Sequence, residues 1–265
     1  MDYLDDLENR SIYIIREAYY EFRDIAMLWS CGKDSTALLW LVRKAFFGKV
    51  PFPVIFIDTE YQFDEVIRYR DDKVKAWGLD LVVADKKDDP KGAVPRQHDL
   101  TRCTTYKTEA LKETMEERRF KALLLGIRRD EHGIRAKERY FSPRDSDFKW
   151  DYTNQPMELW GLHKYKQAEG EHTRVHPLLH WTELDIWRYI KRERIPVIGM
   201  YFARNGKRYR SLGCKYCCGP IDSDAKNVDE IIKELETIKT SERAGRAQDK
   251  ENAYRMQQLR SLGYM

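Results

Sequence analysis

The sequence feature that most constrains this chain is a polar loop, residues 30–36, between two apolar segments. The run before it, residues 25–29, is short and uninterrupted, which is typical of a buried strand. After the loop, apolar residues recur at helical spacing through residues 37–45. The order strand, loop, helix predicts the opening unit of an α/β fold.

The composition of this loop is that of an anion site. Backbone N–H groups and the helix dipole at a helix N-terminus both favour negative charge. Gly32 lets the backbone approach a phosphate, Lys33 supplies a cation, and Asp34 can cap the helix or hold Mg²⁺. We therefore predict a phosphate-binding site formed by Trp29, Ser30, Cys31, Gly32, Lys33, Ser35 and Thr36.

The loop is not a Walker A loop, which argues against simple β–γ hydrolysis. A Walker A loop requires Gly where this chain has Met27, and Ser or Thr where it has Asp34. The loop instead resembles that of the ATP pyrophosphatase family, which usually reads Ser-Gly-Gly-Lys-Asp-Ser. That resemblance implies ATP as the substrate and cleavage between its α- and β-phosphates. Cys31 stands where the family most often has glycine.

Strand and helix patterns alternate along the chain. Strand-like runs at residues 53–57, 79–83 and 122–125 are separated by helical patterns. This alternation predicts a parallel sheet with helices on both faces. Ligands of such sheets bind beyond the carboxyl ends of the strands, where this chain carries the loop, Asp58 and residues 126–131.

Other segments are less regular. Apolar spacing within residues 12–22 predicts an N-terminal helix capped by Ser11 or Asn9. Thr182 is the predicted cap of a later helix. Residues 133–173 are polar, aromatic and basic without periodicity, so we interpret them as a functional loop region.

Length and composition limit the classes of protein to which this chain can belong. We divide the 265 residues into a nucleotide-binding domain, residues 1–200, and a cysteine-containing, mostly helical or irregular extension, residues 201–265, whose last helix ends at Gly263. The net charge of +4 is too small to identify a nucleic-acid binder. No run reaches the roughly 20 apolar residues of a membrane span. We therefore expect a cytoplasmic protein that does not bind membranes.

Motifs along nearly the whole chain resemble the small catalytic subunits of bacterial ATP sulfurylases. They are Lys44-Ala45-Phe46, Pro51-Phe52-Pro53, Ile57-Asp58-Thr59, Arg128-Arg129-Asp130-Glu131, Arg135-Ala136-Lys137-Glu138-Arg139, Trp181-Thr182-Glu183-Leu184-Asp185-Ile186-Trp187, Tyr209-Arg210-Ser211-Leu212-Gly213-Cys214, Thr240-Ser241-Glu242-Arg243 and Gly245-Arg246. The resemblance implies the adenine-nucleotide α-hydrolase (PP-loop) fold, shared with phosphoadenosine-phosphosulfate reductases. It also implies adenylation of sulfate with release of pyrophosphate, alongside a GTPase large subunit.

Charge that develops on the phosphates requires cations and Mg²⁺. The predicted catalytic residues are Lys33, Asp34, Arg128, Arg129 and Cys103. The predicted nucleotide site is completed by Asp58, Gly126, Arg135 and Lys137. Mg²⁺ is assigned to Asp34 and Asp130. The alternative interpretation of the basic residues, a solvated loop face, stays open.

The five cysteines argue against a disulfide framework, because their number is odd and the chain shows no export signal. Cys103 lies where adenosine-phosphosulfate reductases have a cysteine of their iron–sulfur site. With Cys214, Cys217 and Cys218 it would supply the four thiolates of one [4Fe–4S] cluster. Binding of zinc, carriage of sulfur as a persulfide and a purely structural role stay open.

One departure from the sulfurylase pattern bears on partners. Residues 204–208 stand where that family usually carries a much longer insertion, so recognition of a GTPase is in question. Two other functions therefore stay open. The chain can be the ATP-using component of a DNA phosphorothioation or tRNA thiolation system, with a cysteine desulfurase and nucleic acid as partners. It can also be a phosphosulfate reductase with an iron–sulfur cluster. A homo-oligomer is compatible with each function.

Overall fold

The computed structural model describes residues 2–85, 100–131, 133, 135–150, 155, 157–158, 170–238, 240 and 242, with residues 100–104 described by their helical backbone alone. Its elements are α1 (Tyr3–Phe22), β1 (Ile25–Leu28), α2 (Lys33–Ala45), β2 (Val54–Ile57), α3 (Asp64–Trp77), β3 (Leu81–Ala84), α4 (Leu100–Arg118), β4 (Ala122–Leu124), β5 (Phe141–Arg144), β6 (His172–Val175), α5 (Glu183–Glu193), β7 (Lys207–Arg208), β8 (Ile221–Asp222) and α6 (Val228–Thr237). Short 3₁₀ turns lie at Arg129–Glu131, Arg135–Lys137 and Gly199–Tyr201.

The main sheet has six strands in the order β3-β2-β1-β4-β6-β5. Its strands run parallel except β5, which is antiparallel to β6. The predicted fold class is confirmed. The order changes direction between β1 and β4, and a crevice opens at the carboxyl ends of such a pair. The loop of residues 30–36 follows β1, and Gly126 follows β4 close by.

Helices cover both faces of the sheet and bury two apolar clusters. The larger cluster joins α1, α2 and α5 to the sheet through residues such as Ile15, Leu38 and Ile186. The smaller cluster packs Leu111 and Met115 of α4 against the opposite face. Because both faces are covered, strands β1 to β4 are apolar without alternation, as their sequences indicated.

The N-terminal helix begins earlier than predicted, and the expected caps Ser11 and Asn9 are wrong. Asp2 caps α1, and its side chain accepts a hydrogen bond from the amide of Asp5 at 2.8 Å. Ser11 instead lies on the buried face of the helix. Its hydroxyl donates to the Pro177 carbonyl at 2.8 Å and accepts from the Trp181 indole at 2.9 Å.

The irregular region of residues 133–173 contains a strand that the sequence did not predict. β5 pairs with β6 over four residue pairs, with Ser142 opposite Arg174 and Arg144 opposite His172. The strand was missed because these inward-facing positions carry charged or polar side chains rather than apolar ones. Within the described part of this region, the chain therefore supplies the last strand at one edge of the sheet.

Two of the predictions for the C-terminal part of the chain are confirmed, and two stay predictions. Thr182 caps α5 as predicted and forms a reciprocal pair with Asp185. The helix predicted near residues 228–238 is α6. The last helix, ending at Gly263, lies outside the described residues, and the division at residue 200 stays a prediction. No helix among the described residues is long and apolar enough to cross a membrane.

Candidate functional site

A cavity of about 290 Å³ lies at the crevice between the ends of β1 and β4. Eight of the predicted catalytic and nucleotide-site residues line it: Trp29, Ser30, Gly32, Lys33, Asp34, Ser35, Gly126 and Arg135. Tyr201 and residues 211–214 of the C-terminal part line the same cavity. The structure therefore brings the loop, the end of β4 and the C-terminal part together.

The loop is held in shape by hydrogen bonds of its side chains. The Trp29 indole donates to the Thr36 hydroxyl at 3.1 Å, and the Lys33 amide donates to the Tyr201 hydroxyl at 2.7 Å. Cys31 has a φ of 59°, in the left-handed region where glycine is favoured, which explains the glycine of related loops. Its thiol is buried in the core, and burial raises the pKa of Cys31, so the thiol stays protonated.

Gly126 is required by the close approach of β4 to the loop. A Cβ atom there would lie 3.1 Å from the Asp34 carbonyl carbon and oxygen and from the Ser35 Cα. These are backbone atoms, which cannot move aside as a flexible side chain does. Glycine therefore allows the loop and the end of β4 to form one continuous wall.

Lys33 and Arg128, two predicted phosphate-binding cations, converge on one carboxylate. The Lys33 side chain is 1% exposed and the Arg128 side chain 0% exposed. Lys33 binds Oε1 of Glu242, and Arg128 binds Oε2. Lys33 also pairs with Asp34 at 3.1 Å, and Arg128 contacts Asp34 as well. A carboxylate that bridges a lysine and an arginine occupies the position that suits a phosphate oxygen pair.

The electrostatics of this group are dominated by its charged neighbours. Burial by itself would raise the pKa of Glu242, but Lys33 and Arg128 outweigh it and hold the pKa far below its usual range. Burial by itself would lower the pKa of Arg128, but Glu242 and Glu131 outweigh it and raise the pKa. Glu242 is therefore ionised, and Arg128 keeps its charge although it is buried.

Three carboxylates gather around these cations. Oxygen atoms of Asp34, Glu131 and Glu242 lie within 4.8 Å of one another. Asp130, predicted as a second metal ligand, is outside this group. Its carboxylate accepts from Arg128 Nε at 2.9 Å and from the Glu183 amide at 2.8 Å, which ties the β4 loop to the start of α5.

Six other predicted catalytic and nucleotide-site residues in the described part of the chain do not line the cavity. Three of them, Cys31, Thr36 and Arg128, are buried, and the other three are Asp58, Arg129 and Lys137. Arg129 is exposed and lies over the Tyr140 ring at 5.4 Å. Lys137 is exposed on its 3₁₀ turn. Asp58 accepts a hydrogen bond from the Glu60 amide at 2.8 Å. The cavity is therefore built from a smaller set of basic residues than the sequence motifs contain.

The cysteines of the C-terminal part form a tight turn beside the cavity. The thiols of Cys214 and Cys217 are buried and 2.8 Å apart, and Cys214 lines the cavity. The Cys218 thiol donates to the Cys214 carbonyl at 3.3 Å rather than joining this pair. Cys103 lies in α4, and its side chain is not among the described ones. The four-thiolate arrangement stays a prediction.

Sequence reasoning missed several residues of the site. Glu242 belongs to a motif that carried the family resemblance, but nothing in its pattern indicates contact with Lys33, 209 residues earlier. Arg144, Arg174 and Glu138 also line the cavity, and no spacing rule identifies them. Such residues are found only when the tertiary structure brings them together.

Comparison with known proteins identifies relatives of this chain. The profile of the phosphoadenosine phosphosulfate reductase domain matches residues 24–220. Sulfate adenylyltransferase subunit 2 of Pseudomonas paraeruginosa (strain DSM 24068 / PA7) is 41% identical over 300 residues, covering 100% of this chain and 98% of the relative. The protein of the same name from Aeromonas salmonicida (strain A449) is 41% identical over 296 residues, covering 100% and 96%.

The fold is also similar to that of a solved adenylyltransferase. The crystal structure of Candida glabrata FMN adenylyltransferase in complex with ATP superposes with a TM-score of 0.58 and 18% sequence identity. The match covers 92% of this chain and 87% of that one. At this identity the similarity is evidence for the fold alone.

Proposed function

Because the chain belongs to the phosphoadenosine phosphosulfate reductase domain family and is 41% identical to sulfate adenylyltransferase subunit 2 over its full length, we propose that it adenylates sulfate. A sulfate oxygen attacks the α-phosphorus of ATP and forms the new P–O bond. The bond from the α-phosphorus to the bridging oxygen breaks, and pyrophosphate leaves with the electron pair. The products are adenosine phosphosulfate and pyrophosphate.

The observation that carries this proposal is that Lys33 and Arg128 both contact Glu242 beyond the carboxyl ends of β1 and β4. Two buried cations held side by side on an anion suit the leaving pyrophosphate, whose charge grows in the transition state. The loop amides that precede α2 add donors of the kind that bind phosphate. Gly126 lets the backbone after β4 approach this point.

Mg²⁺ fits the donor set of the site. The oxygens of Asp34, Glu131 and Glu242 lie within 4.8 Å of one another, and carboxylate oxygens are the ligands that Mg²⁺ prefers. We assign Asp34 as the main protein ligand, because its side chain is 15% exposed whereas Glu131 and Glu242 are more deeply buried. When bound, Mg²⁺ supplies charge neutralisation of the phosphates.

A second subunit is part of the proposal. The relatives are named subunit 2, and the motif resemblance implies a GTPase as the large subunit. The alignment extends over 300 positions for a chain of 265 residues, so the relative carries insertions that this chain lacks. We expect the short segment of residues 204–208 to make the partner surface smaller in this chain.

The test is the reverse reaction, synthesis of ATP from adenosine phosphosulfate and pyrophosphate, with and without a GTPase subunit from the same source. Wild type should produce ATP, and Lys33→Ala should lose this activity while keeping its circular dichroism spectrum. Lys49→Ala removes an exposed lysine outside the cavity and should behave as wild type. Unchanged ATP synthesis by Lys33→Ala would contradict the assignment of the loop.

A second candidate function is favoured by one observation, the Cys214 thiol in the wall of the cavity that contains Lys33. In a sulfur-insertion enzyme, ATP would adenylate an oxygen of DNA or tRNA, and a persulfide on cysteine would displace AMP. The Cys217 thiolate, which lies beside Cys214, would then break the S–S bond and release the thiolated nucleic acid, leaving a Cys214–Cys217 disulfide that an external thiol reduces. A cysteine desulfurase would supply the sulfur. Cys214→Ser should leave ATP synthesis from adenosine phosphosulfate intact under our main proposal, but should abolish sulfur transfer under this one.

Metal analysis of the purified protein tests whether its cysteines bind an iron–sulfur cluster or zinc, which neither of these two functions requires. Iron with acid-labile sulfide, or zinc, in the purified protein would indicate that Cys214 and Cys217 bind metal together with further thiolates. Absence of both from the purified protein would instead assign the contact of the Cys214 and Cys217 thiols to a packed turn.

A further inference from the structure

Lys33 begins α2 without a capping side chain from the residue before it. That residue is Gly32, which has no side chain to accept a hydrogen bond from the first amides of the helix. The Lys33 amide donates instead to the Tyr201 hydroxyl at 2.7 Å, across 168 positions of the chain. Tyr201 therefore supplies an acceptor to the first turn of a helix, whose amides have no partner within the helix itself.

The Tyr201 hydroxyl is fixed in place by the packing of its own residue. Tyr201 is 1% exposed and ends the 3₁₀ turn Gly199–Tyr201. Its ring lies edge-on to the Trp187 ring of α5, with the ring centroids 5.4 Å apart. Its amide donates to the Ile198 carbonyl at 3.1 Å. Because the ring and the backbone are both held, the hydroxyl is a fixed point to which the loop is attached.

The same part of the chain also holds the other end of Lys33. The Tyr209 amide donates to the Met200 carbonyl at 3.0 Å, which ties this residue to the turn that carries Tyr201. The next residue is Arg210, and its carbonyl accepts from Lys33 Nζ at 3.4 Å. Lys33 is thus contacted at its backbone amide by Tyr201 and at its ammonium group by Arg210.

The contact between Lys33 and Tyr201 lies in the wall of the cavity. Tyr201 lines the cavity together with Gly32 and Lys33. A Cβ atom on Gly32 would lie 3.6 Å from the Tyr201 hydroxyl and 3.3 Å from the Ser30 hydroxyl. The hydrogen bond to Tyr201 therefore fixes the part of the loop that a phosphate approaches, rather than a distant point of the fold.

We propose that Tyr201 is a positioning residue of the site and acts through Lys33. Its hydroxyl holds the Lys33 backbone so that the ammonium group stays beside Arg128, where the two cations meet the pyrophosphate end of the nucleotide. The inference rests on the proposed function, because it assigns a further residue to that reaction. Preorganised cations contribute most where charge develops in the transition state, and a displacement of about 1 Å can cost about a hundredfold in rate.

Tyr201→Phe removes the hydroxyl and keeps the ring that packs on Trp187. Tyr189→Phe is a matched control. Tyr189 is also buried, its ring lies edge-on to the Trp181 ring with centroids 5.1 Å apart, and it is not among the described residues that line the cavity. Both variants should keep the circular dichroism spectrum of wild type, so a difference between them reports on the contact with Lys33.

The first measurement is calorimetric binding of pyrophosphate with Mg²⁺ and, separately, of AMP, which lacks the β- and γ-phosphates assigned to Lys33. We expect Tyr201→Phe to weaken pyrophosphate binding about tenfold, the effect of a displaced charged donor, and to leave the affinity for AMP within about twofold. Tyr189→Phe should match wild type with both ligands. A purely structural role of Tyr201 would weaken the binding of both ligands alike or of neither, and either result would overturn the proposal.

A double-mutant cycle tests whether Tyr201 acts through Lys33. Lys33→Ala should weaken pyrophosphate binding without abolishing it, because Arg128 remains at the site. Addition of Tyr201→Phe to Lys33→Ala should then have no further effect, since the group that the hydroxyl positions is gone. Additive losses of affinity would mean that Tyr201 acts independently of Lys33, which contradicts the proposal.

Kinetic measurements separate this inference from the proposed function. In the synthesis of ATP from adenosine phosphosulfate and pyrophosphate, Tyr201→Phe should lower kcat about ten- to a hundredfold and leave the KM for adenosine phosphosulfate nearly unchanged. A wild-type kcat in Tyr201→Phe would overturn the positioning role and leave the reaction intact. If wild type makes no ATP with its partner subunit present, while the differences in pyrophosphate binding are observed, the proposed reaction fails and the positioning role stands.

Discussion

Replacement of Glu242 by glutamine tests the carboxylate that bridges Lys33 and Arg128. In the free protein both cations are buried, and Glu242 contacts both of them. Glutamine has nearly the same shape but no charge, so the substitution removes the counter-charge and leaves the packing. A buried ion pair that loses one partner leaves the other charge uncompensated.

The expected magnitude follows from that loss. Removal of one partner of a buried pair typically costs about 3–5 kcal/mol. Asp34 remains next to both cations and reduces the loss, so we expect the lower part of this range. Since about 1 kcal/mol corresponds to 2–4 °C in a domain of this size, the melting temperature of Glu242→Gln should fall by about 6–12 °C.

Binding of nucleotide should reverse this effect, because phosphate oxygens take over the role of the carboxylate. The melting temperatures of wild type and Glu242→Gln are measured with and without a non-hydrolysable ATP analogue and Mg²⁺. The stabilisation by the analogue should be larger in the variant than in wild type. Glu236→Gln removes an exposed carboxylate paired with Arg188 and is the matched control.

Two results would refute the reasoning about Glu242. A melting temperature of Glu242→Gln equal to that of the control would mean that the carboxylate does not compensate Lys33 and Arg128. An equal or smaller analogue shift in Glu242→Gln would mean that the nucleotide phosphates do not replace it.

Three other substitutions test separate parts of the account. Gly126→Ala places a methyl group 3.1 Å from backbone atoms of Asp34 and Ser35. Overpacking of this kind costs about 1–3 kcal/mol, so the affinity for the ATP analogue, measured by calorimetry, should fall about tenfold. Asp2→Ala removes the cap of α1 and should lower the melting temperature by about 2–4 °C without changing activity. The pKa of buried His176 is lowered to about 4, so the unfolded chain takes up its proton first as the pH falls from about 6.5. Stability should therefore fall between pH 6.5 and 4, and His176→Gln should flatten this dependence in urea titrations at several pH values; an unchanged slope would contradict it.

The main sheet and the phosphate loop could be predicted because their signals are local. Strands buried on both faces appear as short apolar runs, and the loop stands between one such run and a helical pattern. Thr182 was identified as a cap because it directly precedes apolar residues at helical spacing, from Leu184 to Ile190. Each of these inferences uses residues that are close in sequence.

The remaining features depend on contacts that no local pattern contains. β5 was missed because Ser142 and Arg144, two buried residues of the strand, interrupt the apolar alternation expected of a strand. Glu242 reaches Lys33 only through the packing of the C-terminal part against the sheet. Asp130 was predicted as a metal ligand from its charge, whereas its hydrogen bonds to Arg128 and to the Glu183 amide depend on the tertiary structure.

The most direct measurement of the central claim is a crystal structure with a non-hydrolysable ATP analogue and Mg²⁺. We predict that the β- and γ-phosphates lie against the amides of residues 32–35 and within hydrogen-bonding distance of Lys33 Nζ, with Glu242 moved away from that lysine. A nucleotide bound elsewhere, with Lys33 still paired to Glu242, would contradict the account.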